Sequence, residues 1–525
     1  MPVQIQNVLI SDAVDQSCVD LLKAHNINVT CKYKLPKEQL IQEIKNYDGL
    51  IVRSDTKVTA DVINASNLKV VGRAGTGVDN IDLNAATQKG VIVLNTPGGN
   101  SVSACELTCS LITCMARNVT QGCQSLKEGR WDRKLYTGNE LSGKTLAVLG
   151  LGRIGREVAI RMQAFGMKTI GFDPLVSAEA AQQYNIEKKE LNEIWPLADY
   201  ITIHTPLIPQ TKNMINDSVL TLCKRGVRIV NVARGGIVDE AALLKALQDG
   251  RAGGAALDVF LEEPPKNPVT LELIKHPKVV VTPHLGASTD EAQTRVAVEI
   301  AEEFIALANP ESGFAITGAV NAPILTASLD ATNNSYIQLA TQLSRVAAKL
   351  VQDQPLKNVS VTIQTSGPGL DKMNFLSTAS LVGILSSSRP SNGLNLINAP
   401  AIAKEAGLSV NQTYVPGDSP RVTVLVSAGS AKYTIQGVVR HNSPFLLNIN
   451  EASFGPFGVV LTEDLQLFQG SNSGQDIQRI VESLNKIGVS IRNVSVAAGK
   501  SSYYALQTSQ PIPNTLAPIQ GVKTF

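Results

Sequence analysis

A glycine-rich turn, Gly150-Leu151-Gly152-Arg153-Ile154-Gly155, is the segment of this sequence best suited to bind phosphate. It follows an apolar run at 145–149 and opens a segment in which apolar residues recur at helical spacing. Gly150 permits a tight turn, Gly152 lets a pyrophosphate approach the backbone, and Gly155 lets a helix pack close to a strand. The free N–H groups and positive dipole end of that helix favour the phosphates.

An acidic residue follows at the distance that a dinucleotide-binding βαβ unit requires. A second apolar run at 168–172 ends in Asp173, about 20 residues beyond the glycine turn. A carboxylate at this position accepts hydrogen bonds from the ribose hydroxyls and repels a 2′-phosphate. The next residues, Pro174, Leu175 and Val176, bring no arginine that would bind such a phosphate. The segment therefore predicts an NAD site, with NAD favoured over NADP.

Two arginines follow apolar runs in the N-terminal part of the chain. Arg53 comes after 50–52 and Arg73 after 69–72, with Lys57 just beyond Arg53. Because open α/β sheets bind ligands at the carboxyl ends of their strands, we expect both arginines to face a cleft. Taken alone, each cation is more typical of a solvated surface charge. Together they favour a small dianionic phosphate ester, because guanidinium groups bind phosphate by charge-assisted hydrogen bonds.

A histidine and a third arginine lie at the ends of later strands. His284 follows 279–282 in a Pro-His-Leu-Gly turn, and imidazole is the natural base near neutral pH. Arg234 follows 228–232, and a guanidinium can hold a carboxylate through two hydrogen bonds. The structural alternatives are a hydrogen-bonded histidine at a domain edge and an ordinary salt bridge. We assign that structural role to the other histidines, His25, His204, His276 and His441.

Six short segments in the N-terminal part of the chain form a specific set. They are Gly75-Thr76-Gly77-Val78-Asp79, the glycine turn, residues 199–211, Asn231-Val232-Ala233-Arg234-Gly235-Gly236, Asp258-Val259-Phe260 followed by Glu262-Glu263-Pro264, and Pro283-His284-Leu285-Gly286. In this order they closely resemble the D-isomer-specific 2-hydroxyacid dehydrogenases. The resemblance is very close over 1–310 and looser over 311–525. It implies an NAD-dependent oxidoreductase acting on a 2-hydroxy acid.

The resemblance also implies roles for individual residues. His284 matches the family's general acid/base, Glu263 the acid that pairs with it, and Arg234 belongs to the same catalytic set. Asp258 resembles a residue that contacts the nicotinamide, although it would also suit a strand-end cap. The cofactor residues are then Thr76, Gly150, Gly152, Arg153, Ile154, Gly155, Asp173, Thr205, Val232, Ala233, Asp258 and Gly286. The substrate residues are Arg53, Lys57, Arg73, Gly75, Gly77, Val78, Asn100, Arg133 and Lys134.

The resemblance further implies a second copy of the chain as a partner. Arg133 and Lys134 lie in a basic loop that the family offers to the neighbouring subunit's site. A helix over 101–118 carries a broad apolar face, which the family places at a subunit interface; the alternative is burial within one subunit. That face is formed by Leu107, Leu111, Ile112 and Met115. We therefore expect a homodimer or homotetramer.

The basic residues also bear on the substrate. Lactate or glycerate would need neither Arg53 and Arg73 nor the basic loop, so the set favours a phosphorylated acid. Within the family, the resemblance implies that this acid is 3-phospho-D-glycerate. Its NAD-dependent oxidation to 3-phosphohydroxypyruvate is the first step of L-serine synthesis. Two alternatives stay open: a dehydrogenase-like transcriptional corepressor that binds NAD as a scaffold, and another 2-hydroxyacid dehydrogenase such as a glyoxylate reductase. An assay with phosphorylated and unphosphorylated glycerate separates all three.

The order of predicted elements gives an α/β fold of four units. A flavodoxin-like substrate-binding domain covers 1–98 and 285–310, and a Rossmann NAD-binding domain over 99–284 is inserted in it. An intervening α+β domain, similar to an allosteric-substrate-binding domain, covers 318–452. Residues 455–525 follow a βαββαβ order, which is ferredoxin-like and resembles an ACT domain.

Bulk properties agree with a metabolic enzyme. At 525 residues the chain is too long for one core, and its net charge of +2 gives no electrostatic case for nucleic acid or an anionic membrane. No apolar run is long enough to span a bilayer, and no signal segment precedes the first strand. The seven cysteines contain no CxxC pair, and we interpret Cys105, Cys109, Cys114 and Cys123 as buried free thiols of one helix rather than a metal site. A cytoplasmic location without a metal is expected.

Overall fold

The computed structural model describes residues 3–322, 324, 331–386, 393–462, 465–471, 474–510, 512, 519 and 522–524. The first sheet contains β1 (Asn7–Ile10), β2 (Asn28–Cys31), β3 (Gly49–Val52), β4 (Val70–Arg73) and β5 (Ile92–Asn95). Helices α1 (Gln16–Ala24), α2 (Lys37–Glu43), α3 (Ala60–Ala65) and α4 (Leu83–Lys89) connect these strands. The sheet is parallel, in the order β2-β1-β3-β4-β5, which is the order of flavodoxin.

The second sheet is also parallel and follows two helices, α5 (Ser101–Arg117) and α6 (Val119–Lys127). Its strands are β6 (Thr145–Leu149), β7 (Lys168–Phe172), β8 (Glu187–Lys188), β9 (Tyr200–Ile203), β10 (Val227–Asn231), β11 (Ala252–Leu257) and β12 (Val279–Val281). The order β12-β11-β10-β9-β6-β7-β8 is the Rossmann order with one added strand. The helices between the strands are α7 (Arg153–Ala164), α8 (Ala178–Gln182), α9 (Leu191–Ile194), α10 (Asp217–Leu222), α11 (Glu240–Gln248) and α12 (Pro268–Lys275).

A long helix, α13 (Asp290–Ala308), returns the chain from the second sheet to the first. Its buried side chains Ile300 and Phe304 pack on β3 and β4 where these strands carry Gly49 and Gly72. A Cβ atom on Gly72 would overlap the Phe304 ring, so the glycine is what lets the helix approach the sheet. Helix α13 and the segment at 95–100 therefore connect the two sheets.

The C-terminal part contains two further sheets. Helices α14 (Ala331–Leu350), α15 (Leu376–Leu385) and α16 (Ala399–Glu405) accompany β13 (Val359–Ser366), β14 (Ser409–Val415), β15 (Arg421–Ala428), β16 (Ala431–Arg440), β17 (Ser443–Ile449), β18 (Ala452–Ser453) and β19 (Val459–Val460). The last sheet contains β20 (Leu465–Gly470), β21 (Ile491–Ala497), β22 (Ser502–Thr508) and β23 (Lys523–Thr524), with α17 (Gly474–Lys486) after its first strand. Its order is β21-β22-β20-β23. The second helix expected in this unit lies outside the described residues.

Two sequence-based expectations are corrected by the structure. The apolar face of α5 is buried within its own subunit, because Leu111, Ile112 and Met115 pack into one cluster with strands of the second sheet. Of the four cysteines expected to be buried, only Cys105 is; Cys123 is exposed. In the described part of the chain, no helix is long and apolar enough to cross a membrane.

Candidate active site

The glycine turn between β6 and α7 has the shape of a phosphate cradle. Gly152 is the N-cap of α7 and makes no side-chain cap, and open space surrounds the position of a Cβ on it. A Cβ on Gly155 would overlap the carbonyl oxygen of Gly150, so only glycine permits this close packing. Thr205, whose methyl group lies near Gly150, has a hydroxyl that is buried without a partner among the described residues. Uncapped helix N–H groups, an open backbone and an unpaired hydroxyl fit a dinucleotide pyrophosphate.

Asp173 lies at the carboxyl end of β7 and is tied to this turn. Its Oδ2 accepts a hydrogen bond from the Leu151 N–H at 2.9 Å, and its Oδ1 accepts from the Leu175 N–H at 2.8 Å. Each carboxylate oxygen can accept a further bond, so both remain available to ribose hydroxyls. The carboxylate thus connects the phosphate-binding turn to the position of the ribose.

We expect Asp173→Ala to weaken NADH binding by about 10- to 150-fold, since each hydrogen bond to the charged carboxylate contributes about 1.5–3 kcal/mol. NADPH binding is expected to suffer less, because the charge that repels its 2′-phosphate is removed. Fluorescence titration with both nucleotides measures the ratio. Glu179→Ala, an exposed carboxylate on α8, is the control. An unchanged NADH-to-NADPH preference would contradict the assignment.

His284 and Glu263 form a pair at the carboxyl end of the second sheet. The Nδ1–H of His284 donates to Glu263 Oε2 at 2.6 Å, and both side chains are partly accessible, at 50% and 36%. The hydrogen bond that His284 donates to Glu263 raises the pKa of His284, against the effect of burial. Burial acts to raise the pKa of Glu263, but its bonds to His284 and to the Phe260 N–H outweigh burial and lower it. The pair leaves the Nε2 atom of the imidazole available as a base.

Asp258 organises the turn that carries the histidine. It is fully buried, and its carboxylate accepts hydrogen bonds from the Thr282 hydroxyl and from the N–H groups of Leu285 and Gly286. Its carbonyl accepts the His284 N–H at 2.9 Å, and His284 has a φ of 55°. Burial raises the pKa of Asp258 despite these hydrogen bonds. These hydrogen bonds are what a cap at the end of β11 would make. A contact between Asp258 and the nicotinamide stays a prediction.

Arg234 reaches across from β10 to the glycine loop that follows β4. Its Nε donates to Asp79 Oδ2 at 2.9 Å, and its Nη1 donates to the Ala233 carbonyl. A Cβ on Gly77 would overlap the Arg234 guanidinium, and a Cβ on Gly75 would lie 2.7 Å from Nη1 of Arg73. These two glycines are therefore required because both arginines lie against the loop.

Arg53 and Arg73 bring half-buried positive charge to the same place. The Nε atoms of both are buried, and neither has a hydrogen-bond partner within the described structure. Burial and the charge of Arg234 lower the pKa of Arg73 to about 10, which still leaves it protonated at neutral pH. Buried Nε–H donors on half-buried cations are costly unless an anion completes them, so this cluster is suited to an anionic ligand.

The remaining predicted residues divide into two groups. Thr76 donates from Oγ1 to Asn100 Oδ1 at 2.6 Å, which joins the glycine loop to the start of α5. In contrast, Arg133 and Lys134 are exposed, and the described contacts do not join them to the arginine cluster. Lys57 is exposed and makes no hydrogen bond or ion pair that the structure describes. Gly286 and Val232 border the Asp258 carboxylate, and Ile154, Ala233 and Val78 are half-buried.

Three residues at this site were missed from the sequence. Asp79, the partner of Arg234, stands inside a quoted motif, but nothing in the sequence pairs it with a residue 155 positions away. Asp12 and Asn80 bind the loop that carries Arg53. Asp12 follows β1 as Arg53 follows β3, so the strand-end argument applied to the arginines would have found it.

Comparison with known proteins places this site in a family. Residues 109–286 match the family model of the D-isomer specific 2-hydroxyacid dehydrogenase NAD binding domain. Residues 333–450 match the model of the D-3-phosphoglycerate dehydrogenase intervening domain.

Curated relatives match over most of the chain. D-3-phosphoglycerate dehydrogenase of Rattus norvegicus is 49% identical over 459 residues, which are 86% of this chain and 84% of that protein. The human protein of that name is 48% identical over 470 residues, covering 88% of this chain and 86% of its own length. The Methanocaldococcus jannaschii protein of that name is 38% identical over 515 residues, covering 96% and 95%.

Solved structures match about three fifths of the chain. A D-lactate dehydrogenase from Aquifex aeolicus, complexed with NAD and lactic acid, is 27% identical with a TM-score of 0.52, covering 58% of this chain and 96% of its own. A glyoxylate reductase from Paecilomyes thermophila is 25% identical with a TM-score of 0.55, covering 61% and 99%. Because the coverage and identity to the curated relatives are this high, the chain belongs to the D-3-phosphoglycerate dehydrogenase family of NAD-dependent D-isomer-specific 2-hydroxyacid dehydrogenases.

Proposed function

We propose that this enzyme oxidises 3-phospho-D-glycerate to 3-phosphohydroxypyruvate with NAD, the first step of L-serine biosynthesis, in the cytoplasm. The observation that supports this choice of substrate is the cluster of Arg53, Arg73 and Arg234 beside the His284–Glu263 pair. The substrate has one phosphate and one carboxylate, so it needs several cations on one side of the reacting carbon. The names of the curated relatives support the same substrate.

Each residue of the site has a chemical task in this proposal. NAD, when bound, accepts the hydride from the carbinol carbon. The Nε2 atom of His284 accepts the hydroxyl proton, and Glu263 stabilises the imidazolium that results. Arg234 has its Nε and Nη1 occupied by Asp79 and Ala233, which leaves Nη2 for the substrate carboxylate. Arg53 and Arg73 hold the phosphate with their remaining donors.

Steady-state assays with 3-phospho-D-glycerate, D-glycerate and glyoxylate test the proposal. We expect NAD-dependent turnover of the phosphorylated acid with a far higher kcat/KM than for D-glycerate. NADH binding without turnover of any of the three would favour a corepressor-like scaffold. A preference for glyoxylate over 3-phosphohydroxypyruvate in the reducing direction would favour a glyoxylate reductase.

The pH dependence reports the His284–Glu263 pair. Oxidation requires neutral imidazole, so kcat/KM should fall as the pH drops through the pKa of His284. Since Glu263 raises that pKa, the fall should be centred above the ordinary histidine value of about 6.5. In Glu263→Gln the attraction is lost while burial and Arg234 still act, so the midpoint should move to lower pH. Equal midpoints in wild type and variant would contradict the pairing.

We also propose a homodimer, extended to a tetramer, in which Arg133 and Lys134 enter the partner's site. The support comes from exposed apolar side chains around that loop, since Trp131 and Leu135 are 75% and 74% exposed. Val119 and Leu126 on α6 extend the patch. The described contacts do not join the basic loop to the arginine cluster of the same chain. An exposed apolar patch beside such a loop suits an interface between subunits.

Sedimentation at micromolar concentration is expected to give a dimer or a larger species. Because the patch and not the buried face of α5 supplies the apolar area, Trp131→Asp with Leu135→Asp should shift the mass towards the monomer. Leu175→Asp, at an even more exposed apolar side chain that follows β7, is the control. A monomeric wild type would contradict the proposal.

The two C-terminal units are proposed to be an allosteric-substrate-binding-like domain over 318–452 and an ACT-like domain over 455–525. The match to the intervening domain model over 333–450 supports the first. The antiparallel order β21-β22-β20-β23 supports the second, because numbered within the unit it is the ferredoxin-like order 2-3-1-4.

A further inference from the structure

The loop that carries Arg53 is bound from one side by a buried carboxylate. Asp12, after β1, accepts hydrogen bonds from the Arg53 N–H at 2.6 Å and from the Thr56 N–H at 3.1 Å. It also accepts from the Thr56 hydroxyl at 2.5 Å. Asp12 is buried, so the three donors replace the water that its charge has lost.

The same loop is bound from the other side by an amide. Asn80, in the loop after β4, donates from Nδ2 to the Arg53 carbonyl at 2.8 Å and to the Thr56 carbonyl at 2.7 Å. The N–H and the C=O of both Arg53 and Thr56 are therefore occupied by Asp12 and Asn80. We call this pair the loop clamp. Only Ser54 and Asp55, between the two clamped residues, are left out of it.

The loop clamp connects the residues that hold positive charge. Ser54 accepts a hydrogen bond from Arg73 Nη2 at 3.1 Å, so the clamped loop also holds the second arginine. Asn80 directly follows Asp79, which binds Arg234. A shift of either clamp residue would therefore move Arg53 and Arg73 relative to Arg234, which Asp79 and the Ala233 carbonyl hold independently.

The electrostatics of the cluster give the clamp a second effect. Arg73 is half-buried near two other cations, and the charge of Asp79, and after it that of Asp12, opposes their effect on its pKa. A neutral residue at position 12 would keep much of the shape of the loop but would remove that compensating charge. An asparagine would also turn an N–H group towards a site that needs only acceptors.

Resting on the function proposed above, we propose that Asp12 and Asn80 are positioning residues that set the enzyme's specificity for a phosphorylated substrate. They do so by fixing Arg53 directly, and Arg73 through Ser54, at the spacing that a phosphate requires. The base, Arg234 and the nucleotide turn follow strands of the other sheet, and the described hydrogen bonds of the Asp12 and Asn80 side chains reach none of them. Loss of the clamp should therefore affect phosphate recognition and leave the chemical step intact.

The test compares Asp12→Asn and Asn80→Ala with Asp55→Asn. Asp55 is an exposed carboxylate in the same loop for which the structure describes no hydrogen bond, so its variant matches the charge change without touching the clamp. In both clamp variants KM for 3-phospho-D-glycerate should rise by about 10- to 100-fold, as for small misplacements of a binding group. The kcat, the NADH affinity and the kcat/KM for D-glycerate should stay near the wild-type values.

Each outcome decides the inference. Equal losses for the phosphorylated and unphosphorylated acids, or KM values like those of Asp55→Asn, would overturn it. If Asp12→Asn does not fold, Asn80→Ala decides by the same ratio. If the wild type oxidises D-glycerate but not its phosphate ester, the proposed function fails instead. The clamp is then tested by competitive inhibition with inorganic phosphate. Both clamp variants should weaken that inhibition.

Discussion

Replacing His284 by alanine is expected to lower turnover by about 10²- to 10⁴-fold, the range for removal of a general acid–base group. The imidazole is the group whose free nitrogen can take the hydroxyl proton, because its other nitrogen is held by Glu263 at 2.6 Å. The loss should appear in kcat for oxidation and for reduction alike, since the same proton moves in both directions. NADH should bind normally, because the nucleotide cradle lies at the β6–α7 turn.

The control for this variant is His276→Ala. His276 is the C-cap residue of α12, the helix between β11 and β12. Among the described contacts, its ring accepts a hydrogen bond from the Lys278 N–H, so its loss should leave turnover unchanged. Stopped-flow measurement of single-turnover NADH formation separates the chemical step from product release. Turnover within a few-fold of wild type in His284→Ala would reject this residue as the base.

Removing Arg73 is expected to raise KM for 3-phospho-D-glycerate by about 10- to 150-fold, because a hydrogen bond to a charged group contributes about 1.5–3 kcal/mol. Arg53→Ala should act in the same direction, since its Nε is likewise buried without a partner in the described structure. NAD affinity should not change. Steady-state kinetics with 3-phospho-D-glycerate and D-glycerate measure the effect on each substrate.

Arg73→Lys distinguishes charge from geometry. A lysine keeps the positive charge but cannot present the planar guanidinium donors, so it should recover only part of the affinity. Arg225→Ala, which removes a guanidinium bound to the Asp249 carbonyl away from the site, is the control. Normal KM values in both Arg53→Ala and Arg73→Ala would show that the phosphate is bound elsewhere.

Local features of the fold could be predicted from the sequence because they depend on neighbouring residues. The strands at 145–149 and 168–172 lie where the apolar runs predict them, and the glycine turn between them opens α7. Helix α13 begins at Asp290, where Thr289, a residue type typical of an N-cap, caps it. Half-exposed strands of the intervening unit such as β16 and β17 have no long apolar run, so the sequence gives no comparable signal for them.

The sequence by itself determined the dinucleotide turn, the acidic residue that follows it, and the strand ends where functional side chains could gather. Only the tertiary structure decided which of those side chains meet. It buried the apolar face of α5 within the subunit, and it separated Arg133 and Lys134 from the arginine cluster. It also joined Asp12 to Arg53 across 41 residues and Asp79 to Arg234 across 155. The physical reason is range: periodicity and turn chemistry act between near neighbours, whereas hydrogen bonds between strand ends depend on how whole sheets are assembled.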